Sequence, residues 1–234
     1  MKTILLAGGL GTRISEETGN KPKPMVLIDD KPIIWHLMNI FASQGFNDFV
    51  IAAGYKSEVI QDWVSNTKFA WNVEVLDTGL NTQTGGRIRQ CINASDGEEF
   101  LATYGDGLGN VNLEALVDFH KSHGKLSTVT AVHPPARFGV LDIDAGQVKH
   151  FGEKVQARSG WINGGFFVLS TKVLSLIKGD KTTWEQEPLM SLAERGELMA
   201  FEHQGFWQPM DTLRDKHHLE ELWASEKAPW KKWD

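Results

Sequence analysis

The chain has 234 residues, 41% of them hydrophobic and 23% charged, with a net charge of −6. This is the balance of an ordinary globular protein long enough to bury a core. The charge argues against general nucleic-acid binding, which needs a basic face, and no apolar run approaches the roughly 18–20 residues of a membrane span. Cys91 is the single cysteine, so neither an intrachain disulfide nor a cysteine metal cluster is expected. The first residues are strand-like and enter a loop directly, so a cytoplasmic protein without a leader segment is expected.

Residues 3–7 form an apolar run that predicts a buried strand. It enters the loop Gly8-Gly-Leu-Gly-Thr-Arg13, with Lys21-Pro-Lys-Pro-Met25 close behind. The loop is not a dinucleotide fingerprint, because Ile14 stands where a third glycine would open a helix. Nor is it a P-loop, because no Gly-Lys-Ser/Thr follows Gly11. Pro32 opens a helix with Ile33, Ile34, Leu37, Met38 and Phe41 at helical spacing, and Gly45 ends it. A strand at 48–52 follows, then a helix at 57–65 with Val59, Ile60 and Trp63 inward. An alternating strand at 71–76 and a helix at 85–93 come next. The strand at 99–103 ends in Tyr104-Gly-Asp-Gly107, and a helix spans 112–123. Short strands are then expected at 127–133, 139–143, 147–152 and 162–169, and helices at 184–195 and 212–224.

The β-α-β-α order predicts an α/β fold: a Rossmann-like mixed, mostly parallel sheet flanked by helices, with a smaller β-rich lobe in the second half. In such sheets ligands bind outside the carboxyl ends of the strands. The glycine loop and the Gly105-Asp106-Gly107 turn both lie at such ends.

Three sets of residues can carry chemistry. Gly8, Gly9 and Gly11 have no Cβ, so their N–H groups can approach a phosphate closely. Arg13 can grip phosphate oxygens in a fork, Lys23 adds a mobile cation, and Pro22 and Pro24 stiffen the backbone around it. The plain alternative is a glycine-rich turn with surface lysines. Asp106, straight after a buried strand, is placed to bind Mg²⁺ or simply to form a turn. Asp211 precedes a helix and is either a second metal carboxylate or a plain N-cap. Glu153-Lys154 and Ile162-Asn-Gly-Gly165 can meet sugar hydroxyls, or be a polar strand end and a bulge. His120 and His123 are expected on a helix surface rather than at a metal, since no carboxylate or cysteine supports them. Glu185 and Glu187 are read as acids favouring a helix start, and Trp184 and Trp207 as core or wall. No Gly-x-Ser-x-Gly elbow occurs.

The glycine loop with Lys-Pro-Lys-Pro-Met resembles the signature of the sugar-phosphate nucleotidyltransferases. Further stretches are similar to the family's cytidylyl branch: Asp77-Thr-Gly79, Thr84-Gly-Gly-Arg87, Thr103-Tyr-Gly-Asp-Gly107, Trp161-Ile-Asn-Gly-Gly-Phe-Phe167, Thr183-Trp-Glu-Gln-Glu-Pro188 and Gly205-Phe-Trp-Gln-Pro-Met-Asp-Thr-Leu-Arg-Asp215. The resemblance covers nearly the whole chain. It implies the nucleotide-diphospho-sugar transferase fold as one domain, 1–234. Residues 1–125 would be its nucleotide-binding half, and 126–234 its sugar-phosphate-binding half with the C-terminal helices. The implied reaction is CTP plus α-D-glucose 1-phosphate giving CDP-glucose and diphosphate, with Mg²⁺ as cofactor. The resemblance also implies a homo-oligomer with no nucleic-acid or membrane partner, and a product that feeds bacterial surface polysaccharide.

Carried over by motif, Leu6, Ala7, Gly8, Gly9, Gly11, Thr12 and Arg13 would hold the nucleotide, with Lys23 at the reacting phosphates. Thr82 and Arg87 match nucleotide-contacting positions, and Asp106 and Asp211 match the metal ligands. Gly139, Glu153, Lys154, Asn163 and Gly164 match the sugar-phosphate side. Arg13, Lys23 and Asp106 are the expected catalytic residues. The chain departs from the family at Val155, where Pro is usual, and in a short connector at about 65–70. Two other readings stand beside this one: the same chemistry with dTTP or UTP, and a non-catalytic nucleotide-sugar sensor.

Overall fold

The computed structural model describes residues 1–92, 97–135, 140–145, 147–152 and 160–233. The first half runs β1 (Thr3–Ala7), a 3-10 turn (Thr12–Ile14), the single turn α1 (Ser15–Thr18), a second 3-10 turn (Lys23–Met25), β2 (Leu27–Ile28), β3 (Lys31–Pro32), α2 (Ile33–Ala42), β4 (Asp48–Ala53), α3 (Ser57–Asn66), β5 (Asn72–Asp77), α4 (Thr84–Cys91), β6 (Glu99–Tyr104), β7 (Gly107–Gly109) and α5 (Leu113–His123). The second half runs β8 (Ser127–Val132), β9 (Val140–Asp144), β10 (Gln147–Gly152), β11 (Ile162–Asn163), β12 (Phe167–Ser170), α6 (Glu187–Glu194), β13 (Leu198–His203), β14 (Trp207–Pro209) and α7 (Leu213–Ala224).

Every residue of β1 is buried, because the strand is covered on both faces. Successive side chains of a strand point to opposite faces. Leu5 and Ala7 therefore join one core with α2, α5 and α7, whereas Ile4 and Leu6 join a second core with Ile88, Trp184 and Leu192. β1 pairs in parallel with β4 on one side and β6 on the other, and β4 pairs in parallel with the edge strand β5. The chain thus leaves β1 in one direction and returns on its other flank. Such a reversal of strand order opens a crevice at the carboxyl ends of the strands.

The second-half strands go to three places. β12 runs antiparallel between β6 and β8, β11 adds to β8, and β13 runs parallel to β8, so all four extend the same eight-stranded sheet. The β9–β10 hairpin stands apart from that sheet, and so does β14, which pairs antiparallel with β7.

Three local expectations are corrected. The single strand expected at 162–169 is two, because Gly165 and Phe166 take positive φ (75° and 47°) between β11 and β12. The helix expected from 184 begins at Glu187. Pro188 has no N–H to give to the Trp184 carbonyl and is tolerated only in a first turn; the Leu189 N–H makes that bond instead, at 3.2 Å. His120 is buried rather than on a surface face. Its Nδ1 and the Nε2 of His123 both lie 2.8 Å from the Thr128 hydroxyl on β8. No helix among the described residues is long and apolar enough to cross a membrane.

Candidate active site

A cleft of about 580 Å³ opens at the strand-order reversal. Leu6, Ala7, Gly8, Gly9, Gly11, Thr12, Arg13, Lys23, Thr82, Arg87, Asp106, Asn163 and Asp211 all line it. Residues from one end of the chain to the other therefore meet in one place.

Gly11 turns the loop. Its φ of +65° caps the 3-10 turn Thr12–Ile14, and buried Ile14 anchors that turn in the core. A Cβ on Gly11 would stand 2.9 Å from Thr18 Cγ2 and 3.0 Å from Lys23 Cβ, so the glycine lets the loop lie against the lysine segment. There Pro22 holds extended backbone before the 3-10 turn Lys23–Met25, which fixes Lys23 as it enters the cleft. Gly105 is needed for packing and does not make room for a ligand, since its Cβ would be 2.9 Å from the Leu6 carbonyl oxygen.

Asp106 and Asp211 are 105 positions apart in sequence and adjacent in space because β7 and β14 form an antiparallel ribbon. The Met210 N–H donates to the Asp106 carbonyl at 2.8 Å and closes the end of that ribbon. Asp211 is not the N-cap of α7. Thr212 is, within a capping box with Asp215, and the Asp211 carboxylate is left to face the cleft.

The two carboxylates converge on one point, and the Lys23 ammonium holds it. Lys23 Nζ donates to Asp106 Oδ2 at 2.6 Å and to Asp211 Oδ1 at 2.7 Å, while Arg13 donates to Asp211 Oδ2 at 2.6 Å. The Lys23 side chain is 9% exposed and that of Arg13 is 69% exposed, so the lysine pairs are sheltered and the arginine pair is screened by solvent. Lys21 is not part of this cluster; it lies 3.7 Å from Glu17. Mg²⁺ is usually held by one or two carboxylates together with substrate phosphates. Two carboxylate oxygens aimed at a common point beside a glycine loop fit that requirement.

Arg87 does something other than reach outward. Its guanidinium donates to the Gly8 carbonyl at 3.1 Å, to the Ala53 carbonyl at 2.8 Å and to the Thr78 hydroxyl. It is 4% exposed, and burial pushes its pKa down. A Cβ on Gly8 would fall on it. Arg87 therefore braces the floor of the glycine loop. The Thr82 hydroxyl likewise turns inward and donates to the Thr78 carbonyl at 2.5 Å.

Opposite the loop lies a network that sequence reasoning missed. The Tyr104 hydroxyl donates to Glu185 Oε1 at 2.8 Å and accepts from Asn163 Nδ2 at 2.9 Å, and Thr84 donates to Glu185 Oε2 at 2.6 Å. Burial, then the adjacent Glu185 carboxylate, pushes the Tyr104 phenol well above its usual range. The signal available was Pro188, which ends the case for a helix through Glu185. Gly164 sits behind this wall. Its N–H donates to the Thr130 carbonyl at 2.9 Å, its carbonyl accepts from Trp207 Nε1 at 2.8 Å, and a Cβ would be 2.6 Å from Val132 Cγ1. Gly139, Glu153 and Lys154 lie outside the described residues.

A model of the nucleotidyl transferase family matches residues 2–212. The chain is 52% identical to the glucose-1-phosphate cytidylyltransferase of Salmonella typhi over 257 aligned positions that cover all of both chains. It is 40% identical to the probable glucose-1-phosphate cytidylyltransferase of Bacillus subtilis (strain 168) over 255 positions, again covering all of both. Both alignments are longer than the 234 residues of this chain, so the relatives carry residues that it lacks. Among solved structures, HddC from Yersinia pseudotuberculosis complexed with GMP-PN is similar at a TM-score of 0.75 and 26% identity, over 95% of this chain and 99% of that one. The family match runs from β1 through the Asp211 side of the cleft, and on that match and the full-length relatives the chain belongs to the nucleotidyl transferase family.

Proposed function

We propose that the chain transfers the cytidylyl group of CTP to α-D-glucose 1-phosphate, giving CDP-glucose and diphosphate. The observation that carries this reading is the meeting of Arg13, Lys23, Asp106 and Asp211 at one end of a glycine-lined cleft. The full-length similarity to proteins named for that reaction supports the choice of substrates.

The chemistry matches the residues available. A sugar 1-phosphate is largely dianionic at neutral pH, its second pKa being about 6, so it attacks the α-phosphorus without a general base. One of its oxygens forms the new P–O bond, the bond from the α-phosphorus to the bridging oxygen breaks, and diphosphate leaves in line. No Ser, Cys or His is among the described residues that line the cleft, and the reaction needs none. The chain's task is to position two anions and offset their charge. Arg13 and Lys23 supply cations at the phosphates, and the glycine-loop N–H groups supply donors. Asp106 and Asp211 would hold Mg²⁺, which when bound neutralises charge on the phosphate oxygens.

Asn163 and the Tyr104–Glu185 wall form the side opposite the loop, and Glu153 and Lys154 are proposed to complete the sugar site. A cytoplasmic homo-oligomer supplying bacterial surface polysaccharide belongs to the same reading. The same chemistry with dTTP or UTP is the second reading, which the short connector between Asn66 and Asn72 keeps open. Diphosphate release with each nucleotide and glucose 1-phosphate, with and without Mg²⁺, tests the proposal. Nucleotide binding without turnover under every condition would contradict it.

A further inference from the structure

We infer that Lys23 is a removable stand-in for the metal: its ammonium holds the Asp106–Asp211 pair until a nucleotide phosphate draws it away, so metal and nucleotide bind as a coupled exchange. This rests on the proposal that Asp106 and Asp211 are the metal's ligands.

The ammonium and the metal compete for one place. Lys23 Nζ lies 2.6 Å from Asp106 Oδ2 and 2.7 Å from Asp211 Oδ1 and so bridges the two carboxylates. A Mg²⁺ ion bonds oxygen at about 2.0–2.1 Å, so an ion taking the bridging place that the ammonium now holds would stand far inside van der Waals contact with the nitrogen. The two cations are mutually exclusive at that point. Two facing carboxylates with neither would repel, and the sheltered ammonium (9% exposed) offsets that repulsion.

Metal entry alone must therefore break two charge-assisted hydrogen bonds and leave a sheltered lysine without an anion. A phosphate on the glycine loop gives the lysine a new partner and removes that penalty. Coupling of this kind is reciprocal: nucleotide tightens metal, and metal tightens nucleotide. Arg13 makes a weaker lock, since its pair with Asp211 is open to solvent.

The test is Mn²⁺ affinity by electron paramagnetic resonance, on nucleotide-free protein and on protein with a non-hydrolysable CTP analogue. Nucleotide-free Lys23→Gln and Lys23→Met, each checked for a cooperative thermal melt, are expected to bind Mn²⁺ at least ~10-fold tighter than wild type. That is the equivalent of removing one charge-assisted hydrogen bond that competes with the metal. The gain is expected to vanish when Asp106→Asn is added. Arg13→Gln is expected to shift affinity less than ~5-fold; an equal gain there would reduce the effect to bulk charge and overturn the inference. It is also overturned, with the metal reading intact, if wild type with the analogue binds Mn²⁺ through Asp106 while both Lys23 variants bind no tighter than wild type without nucleotide. If wild type with the analogue binds no Mn²⁺ beyond what the free analogue holds, the metal reading and the exchange fall together.

Discussion

Arg87→Met separates a residue that braces the loop from one that binds the nucleotide. The guanidinium is 4% exposed and serves three acceptors: the Gly8 and Ala53 carbonyls and the Thr78 hydroxyl. Met keeps most of the volume and none of the donors. Each hydrogen bond from a charged donor contributes about 1.5–3 kcal/mol. The Ala53 carbonyl keeps the Thr78 N–H (3.0 Å) and hydroxyl (2.6 Å), and the Gly8 carbonyl keeps the Tyr55 N–H (3.4 Å). These bonds recover part of the loss, so the total is about 3–5 kcal/mol. Typical domains have only ~5–15 kcal/mol of stability. A domain of this size loses roughly 2–4 °C of Tm per kcal/mol, which gives a fall of roughly 6–20 °C. Urea unfolding and a thermal melt without nucleotide measure it. Arg87→Lys is expected to share most of the loss, because an ammonium cannot span three acceptors as a planar fork does. A stability within about 0.5 kcal/mol of wild type, with a raised KM for the nucleotide, would refute the bracing role and make Arg87 a ligand contact.

Asp106→Asn is expected to lower the turnover rate at least ~100-fold, as loss of a key electrostatic group does; near-normal turnover would remove Asp106 from the mechanism. Gly11→Ala meets a φ of +65° and two close neighbours, for a loss of about 1–2 kcal/mol in urea unfolding, whereas Gly9→Ala, with nothing within 4 Å of its Cβ, is expected within about 0.5 kcal/mol of wild type. Burial lowers the pKa of His36, fully enclosed beside Trp35, Trp223 and Trp230, to about 4. The unfolded chain then binds the extra proton between pH 6.5 and 4, so stability falls as pH drops through that window, by on the order of 3 kcal/mol at pH 4. His36→Phe should flatten the unfolding free energy across that range by a similar amount, and an unchanged slope would count against the neutral buried ring.

Local signals made most of the framework legible. The apolar run 3–7, the Pro32 start and the alternation at 71–76 each follow from the covering of a strand or the facing of a helix, and β1, α2 and β5 lie where those patterns put them. The site residues were legible as residue types but not as partners. Arg13 and Lys23 were expected on phosphate, yet they lie on carboxylates contributed by the β7–β14 ribbon, a pairing between distant segments that no local pattern encodes. Asp211 and Thr212 competed for one cap, and the capping box with Asp215 decided it for Thr212. His120 looked like a surface histidine because its partner, Thr128, belongs to a strand whose place in the sheet is set by long-range pairing. Glu185 was hidden by an expected helix start that Pro188 displaces.

An equimolar mixture of CTP, dTTP, UTP and GTP, given glucose 1-phosphate, Mg²⁺ and the protein, can be read by mass spectrometry of the nucleotide-sugar formed. CDP-glucose as the dominant early product is the predicted result; a predominance of dTDP-, UDP- or GDP-glucose, or no nucleotide-sugar at all, would contradict it.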